Sequence, residues 1–99
     1  HYAASKAAVT ALVRTIAAEL VSRGVRANVV TPGYVDTPLL ADHLSSARFQ
    51  QRVLPRIPLG RWGVPSDLGA VTVFLASDAS AALTGREFTV DGGFLLNGP

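Results

Sequence analysis

Residues 1–23 read HYAASKAAVTALVRTIAAELVSR, and this stretch decides the architecture. It contains no Gly or Pro, is rich in Ala and Leu, and stops at Arg23-Gly24. A basic last turn followed by glycine is the signature of a helix C-terminus, so one long helix is expected from Tyr2 to Arg23. Apolar residues cover more than one stripe of it. Ala4, Ala8, Leu12, Ile16 and Leu20 fall on one face, and Val9, Val13, Ala17 and Val21 extend that face around. A helix apolar nearly all round is normally covered on both sides, here by a sheet and by a second helix, which a second subunit could supply.

Tyr2 and Lys6 stand four apart, one helical turn on the same face. A phenol titrates near pH 10, too high for a proton shuttle at neutral pH, but an ammonium one turn away stabilises the phenolate and lowers that value. The pair can then work as a general acid on a developing alkoxide or as a base on an alcohol. An accidental pair on a helix surface is the plain alternative.

Composition narrows the classes. Ninety-nine residues allow at most one domain with a modest core, yet 48% are hydrophobic and only 16% charged. Such a balance fits part of a larger fold with faces meant for partners. The absence of cysteine and of any 18-residue apolar run argues against a disulfide scaffold and against a membrane span. The net charge is +2, but eight of the nine basic residues are scattered arginines without interleaved aromatics, so nucleic-acid binding is not expected.

Val25–Thr31 (VRANVVT) reads as a strand whose second half is continuously apolar, as in a buried parallel sheet. Pro32-Gly33 ends it. In doubly wound sheets ligands bind just beyond the C-terminal ends of strands. Gly33 would let backbone approach a flat ring, and Thr37 could offer a hydroxyl; an ordinary turn is the alternative. Between Pro38 and Arg61 one or two short helices are expected, broken at Ser45-Ser46 and ending before Pro55 and Pro58. Arg48, Arg52 and Arg56 recur every fourth residue, as a solvated face or as a contact for an anionic substrate or carrier. His43 reads as a surface residue, and Trp62 as a packing anchor or interface residue. Pro65 opens a further helix with Ser66 and Asp67 in its first turn and the stripe Leu68, Val71, Thr72, Leu75. It stops near Ser77, and a short turn from Asp78 runs through Ala82. Glu87–Asp91 reads as the last strand, closed by Gly92-Gly93, after which FLLNGP trails off. Strand, crossover helix and strand make one parallel unit lacking a neighbour on the first strand's outer edge.

In combination YAASK, VRANVVTPGYVDTP and PLGRWGVPSDLGAVTVFLASDASAALTGREFTVDGG resemble the C-terminal part of the short-chain dehydrogenase/reductase family, in the family's order and over essentially the whole chain. The resemblance implies an α/β fold, the C-terminal portion of a Rossmann-type doubly wound parallel sheet, with residues 1–99 a C-terminal fragment lacking the nucleotide-binding half. It implies an NAD(P)-dependent oxidoreductase acting on a small-molecule carbonyl or secondary alcohol. Tyr2 and Lys6 would be catalytic, Lys6 also holding the nicotinamide ribose. Pro32, Gly33, Val35 and Thr37 would join Tyr2 and Lys6 in contacting NAD or NADP, residues 38–61 would form a substrate lid, and no metal is expected. The family's polarising Ser, relay Asn and Gly-rich phosphate loop lie upstream of the tyrosine and are absent, so these residues alone should be inert. A homo-oligomer (dimer or tetramer) in the cytoplasm is expected. A second possibility is a non-catalytic association module whose two-sided helices pair subunits.

Overall fold

The computed structural model describes residues 2–97, with side chains from Ala3 to Leu96. The chain divides into two compact units, 1–30 with 72–88 and 31–71 with 89–99. Among the described residues β1 (Val29–Pro32) and β2 (Glu87–Val90) are neighbours in a two-stranded sheet. Val29 N–H donates to the Arg86 carbonyl at 2.8 Å and Gly33 N–H to the Val90 carbonyl at 3.1 Å. Both partners advance by four residues in the same sense, so the strands are parallel.

In the first unit α1 runs Tyr2–Leu20 and tightens into a 3₁₀ turn over Val21–Arg23. Gly24, at φ 75°, bonds back to the Val21 carbonyl, and Val25 N–H reaches the Leu20 carbonyl at 3.2 Å. This pair of bonds is a Schellman stop, as the Arg-Gly ending predicts. The inward stripe differs from the expected one. Lys6, Thr10, Val13, Ile16, Ala17 and Leu20 are buried or half-buried, whereas Ala4, Ala8 and Leu12 are exposed. An Ala-rich helix carries apolar atoms on every face, so periodicity alone could not select one. Thr10 can turn inward because its hydroxyl has acceptors there, the Lys6 carbonyl at 3.2 Å and the Glu87 carboxylate at 3.1 Å.

β1 starts later than the expected Val25 because side chains take over the hydrogen bonds ahead of it. Ala27 N–H donates to Thr84 Oγ1, while the Asn28 amide spans the Leu83 carbonyl and Arg86 N–H. The Arg26 guanidinium donates to four carbonyls, those of Leu75, Ser77, Ser80 and Leu83, at 2.9–3.2 Å. It thereby gathers the C-terminal end of α4 (Pro65–Ala76) and the 3₁₀ turn Asp78–Ser80, adding a charged donor to carbonyls that Ser80, Leu83 and Asn28 also bond.

The second unit has the larger core. Leu44, Phe49, Val53 and Ile57 are buried, with Tyr34, Leu40, Leu54, Trp62 and Phe94 packed against them. Two short helices carry most of the buried four, α2 (Ala41–Leu44) and α3 (Ala47–Val53). Ser46 caps α3, accepting from Phe49 N–H at 3.4 Å. The helical run does not end before Pro55. It continues as a 3₁₀ turn over Leu54–Arg56, where proline occupies an early position that needs no N–H donor. Nor does the C-terminal tail trail away. Phe94–Asn97 forms a 3₁₀ turn, with Phe94 in the core and Leu95 and Leu96 exposed. α4 begins at Pro65 as expected, with Leu68, Val71 and Leu75 half-buried but Thr72, Val73 and Phe74 exposed.

Candidate active site

In the first unit α1 carries the candidate pair Tyr2 and Lys6. Tyr2 is its first residue, but the Tyr2 side chain lies outside the described residues. Lys6 follows one turn later and is half-buried. It borders an open groove of about 600 Å³ lined with Ala7, Thr10, Arg14 and Glu87. Thr10 engages the Glu87 carboxylate, whereas Lys6 has no carboxylate partner among the described residues. Two cations against one carboxylate leave the groove net positive, a setting that favours an anionic oxygen near Lys6.

The other candidates, Pro32, Gly33, Val35 and Thr37, belong to the second unit, where three contacts fix their segment. Gly33 lies directly against Asp91: a Cβ on Gly33 would stand 2.8 Å from the Asp91 Cβ and 2.9 Å from its Cα. Chain packing by itself therefore requires glycine here, a reason the sequence did not show. Val35 is buried and forms a parallel bridge with Gly63. Gly63 N–H donates to the Tyr34 carbonyl and Asp36 N–H to the Gly63 carbonyl, both at 2.8 Å. Between these braces the Tyr34 ring meets Phe49, Trp62 and Phe94 edge-on at 5.5–5.9 Å. Pro32 is exposed. Thr37 is half-buried, and its hydroxyl has no protein partner among the described residues.

The Gly63 end is secured in turn by the start of α4. Asp67 accepts from Val64 N–H at 2.8 Å and pairs with Arg61 at 2.9 Å. The hydrogen bond from Arg61, aided by the one from Val64 N–H, holds the Asp67 carboxyl below its ordinary value, and Asp67 raises Arg61 in return. Of the other sequence candidates, Trp62 packs in the core. His43 is exposed, with its ring 4.2 Å from Phe49. Arg48, Arg52 and Arg56 are all exposed, Arg52 lying over Phe49 and Arg56 over Phe94. Thr10, Glu87, Gly63 and Asp91 were not singled out from sequence. Thr10 follows Lys6 by four and was findable on that spacing, and Asp91 precedes a double glycine, a turn signature.

The chain matches, over residues 1–95, the sequence-family model described as enoyl-(acyl carrier protein) reductase. It is 44% identical over 96 residues to a 3-oxoacyl-(acyl-carrier-protein) reductase of Thermotoga maritima, covering 97% of this chain and 38% of that protein. A gluconate 5-dehydrogenase of Burkholderia cenocepacia, solved with NADP and tartrate, superposes with a TM-score of 0.88 at 38% identity, over 96% of this chain and 37% of that one. A short-chain type dehydrogenase/reductase of Mycobacterium ulcerans gives 0.92 at 37% identity, over 96% and 34%. The chain thus spans well under half the length of these relatives, and its parallel strands and helices are part of a Rossmann fold. It belongs to the short-chain dehydrogenase/reductase family.

Proposed function

We propose that the protein containing this chain is an NAD(P)-dependent oxidoreductase that interconverts a small carbonyl compound and the corresponding secondary alcohol, with Tyr2 as general acid/base. The observation that carries this is Lys6: a half-buried ammonium without a carboxylate partner among the described residues, one helical turn from Tyr2, beside a net-positive groove.

The nicotinamide cofactor, when bound, supplies a hydride to the carbonyl carbon or accepts one from the alcohol. In the reducing direction the Tyr2 O–H bond breaks, and its proton goes to the carbonyl oxygen as that oxygen gains charge. Lys6 lowers the cost of the phenolate left on Tyr2 and would also hold the cofactor through its ribose. The free hydroxyl of Thr37 and the exposed Pro32-Gly33 turn suit a ligand with polar groups at its edge, with Val35 anchoring the segment from beneath. Residues 38–61 act as the substrate lid; the exposed turn at Leu39 is its free part, since Leu44–Ile57 supply the core. The protein works as a homo-oligomer (dimer or tetramer) in the cytoplasm, and the apolar Leu12, Val73 and Phe74, exposed on α1 and α4, support the assembly.

Turnover of the complete protein tests the reading. Tyr2→Phe should lower kcat by roughly 10²–10⁴-fold with assembly unchanged, the range that positioned proton transfer supplies. Activity within twofold of the parent would overturn the catalytic role and leave an association module as the explanation.

A further inference from the structure

We infer that Asp91 is a positioning residue for the cofactor-contacting turn, holding Pro32-Gly33 in place from behind. This rests on the role proposed above for that turn. The Asp91 carboxylate makes two bonds forward along its own loop: Oδ1 accepts from Gly93 N–H at 2.9 Å and Oδ2 from Leu95 N–H at 3.0 Å. Both bonds hold the 91–95 backbone in one tight curl, with Phe94 N–H closing on the Asp91 carbonyl at 3.2 Å. The curl has no slack on its other side. A Cβ on Gly92 would come within 2.8 Å of Ile57, and one on Gly93 within 3.0 Å of Pro58. Leu59 N–H donates to the Gly92 carbonyl at 3.1 Å.

Against the front of this curl sits Gly33, packed on the Asp91 backbone and bonded through its N–H to the Val90 carbonyl. Position is therefore passed from the end of the 38–61 segment, through Gly92 and Asp91, to the turn. Without the carboxylate, residues 91–95 lose two of the bonds that define the curl, and the surface on which Gly33 rests is free to shift. Two backbone segments packed this closely transmit such a shift directly, since no flexible side chain lies between them to absorb it.

The experiment uses the complete protein with three variants, Asp91→Ala, Asp91→Asn and Tyr2→Phe. Hydrogen exchange is read without cofactor, and affinity for NADH and NADPH is measured by titration. In Asp91→Ala the Gly33 amide should exchange about tenfold faster relative to the Gln50 amide of α3, which bonds to the Ser46 carbonyl at the start of its own helix. The affinity for whichever nicotinamide the parent binds should fall by about tenfold, with kcat changed by less than about threefold. Asp91→Asn, which keeps one acceptor, should fall between the parent and Asp91→Ala, and it carries the test if the alanine variant does not fold. Equal acceleration at Gly33 and Gln50, or unchanged cofactor affinity at a lowered melting temperature, would make Asp91 a general stabiliser and overturn the inference. Full activity in Tyr2→Phe would instead overturn the catalytic reading, leaving the Gly33 exchange to decide on the brace itself.

Discussion

The two groups of candidate residues, one in each unit, are built by opposite means. Lys6 stands on a 19-residue helix whose sequence would favour helix almost anywhere, and Ala17 is the one buried apolar residue that its unit contributes among the described residues. Pro32–Thr37 has almost no regular structure of its own. It is held instead by Asp91, by the Gly63 bridge and by the ring of Tyr34 among three aromatic neighbours. Spacing along a helix is sufficient to put an ammonium one turn from a phenol. Seating a loop requires contacts from residues distant in sequence.

Core substitutions should expose this difference most strongly. Phe49→Ala removes a buried ring that packs on Tyr34 and lies beneath Arg52, and should cost about 3–5 kcal/mol. The buried point of the first unit is small instead: Ala17 is 4% exposed and packs over Gly85, where a single added Cβ would already be in van der Waals contact at 3.6 Å. Ala17→Leu should therefore fail by overpacking, at about 1–3 kcal/mol. Denaturant midpoints of the complete protein measure both, and equal costs, or the reverse order, would erase the contrast.

Between these lies Arg26. Its four bonds to carbonyls hold the end of α4 in the first unit, and Arg26→Ala would strip the charged donor from carbonyls left with their weaker neutral partners, at about 1.5–3 kcal/mol. Lys cannot reproduce the planar fork, so Arg26→Lys should recover less than half of the loss in the same unfolding experiment. Full recovery by Lys would mean that charge, not geometry, is what Arg26 contributes.

Gly33→Ala breaks the loop half of the comparison locally. The added Cβ meets backbone and Cβ of Asp91, neither of which is a flexible end, so the turn must move by some tenths of an ångström. The expected stability loss is about 1–2 kcal/mol, accompanied by weaker cofactor binding in titration. A normal affinity would show that the turn tolerates displacement.

What the sequence made legible follows the same division. The termini of α1, the Pro65 start of α4 and both strands follow from local rules: an uninterrupted Ala/Leu run, Arg-Gly, Pro with Asp two residues on, and apolar runs between turns. The inward face of α1 did not, because the decisive contact joins Thr10 to Glu87 across 77 residues. The reason for Gly33 was likewise hidden, since its neighbour Asp91 is the better part of the chain away. Phe94 entered the core although its segment had read as a loose tail. Tyr2 and Lys6 were legible as a spacing, and the family resemblance gave that spacing a chemistry.

The smallest effect should come from the brace on Gly63. Asp67 is held below its ordinary carboxylate value near 3.8, first by the hydrogen bond from Arg61 and then by that from Val64 N–H. A carboxyl lowered on folding stabilises the native state at pH values above its unfolded value, and that contribution disappears as pH falls through the lower folded value. Asp67→Asn should thus lower the melting temperature slightly at pH 7, and the gap from the parent should close in acid, below about pH 4. The pair is solvent-exposed and screened, so salt should shrink the Arg61 share of the gap while the bond to Val64 N–H persists. Arg61→Gln separates the two: it should remove the salt-sensitive share and leave an acid-sensitive remainder. If Asp67→Asn melts with the parent across the whole range, the charge of Asp67 contributes nothing, and the start of α4 is held by the neutral bond to Val64 N–H and the core alone.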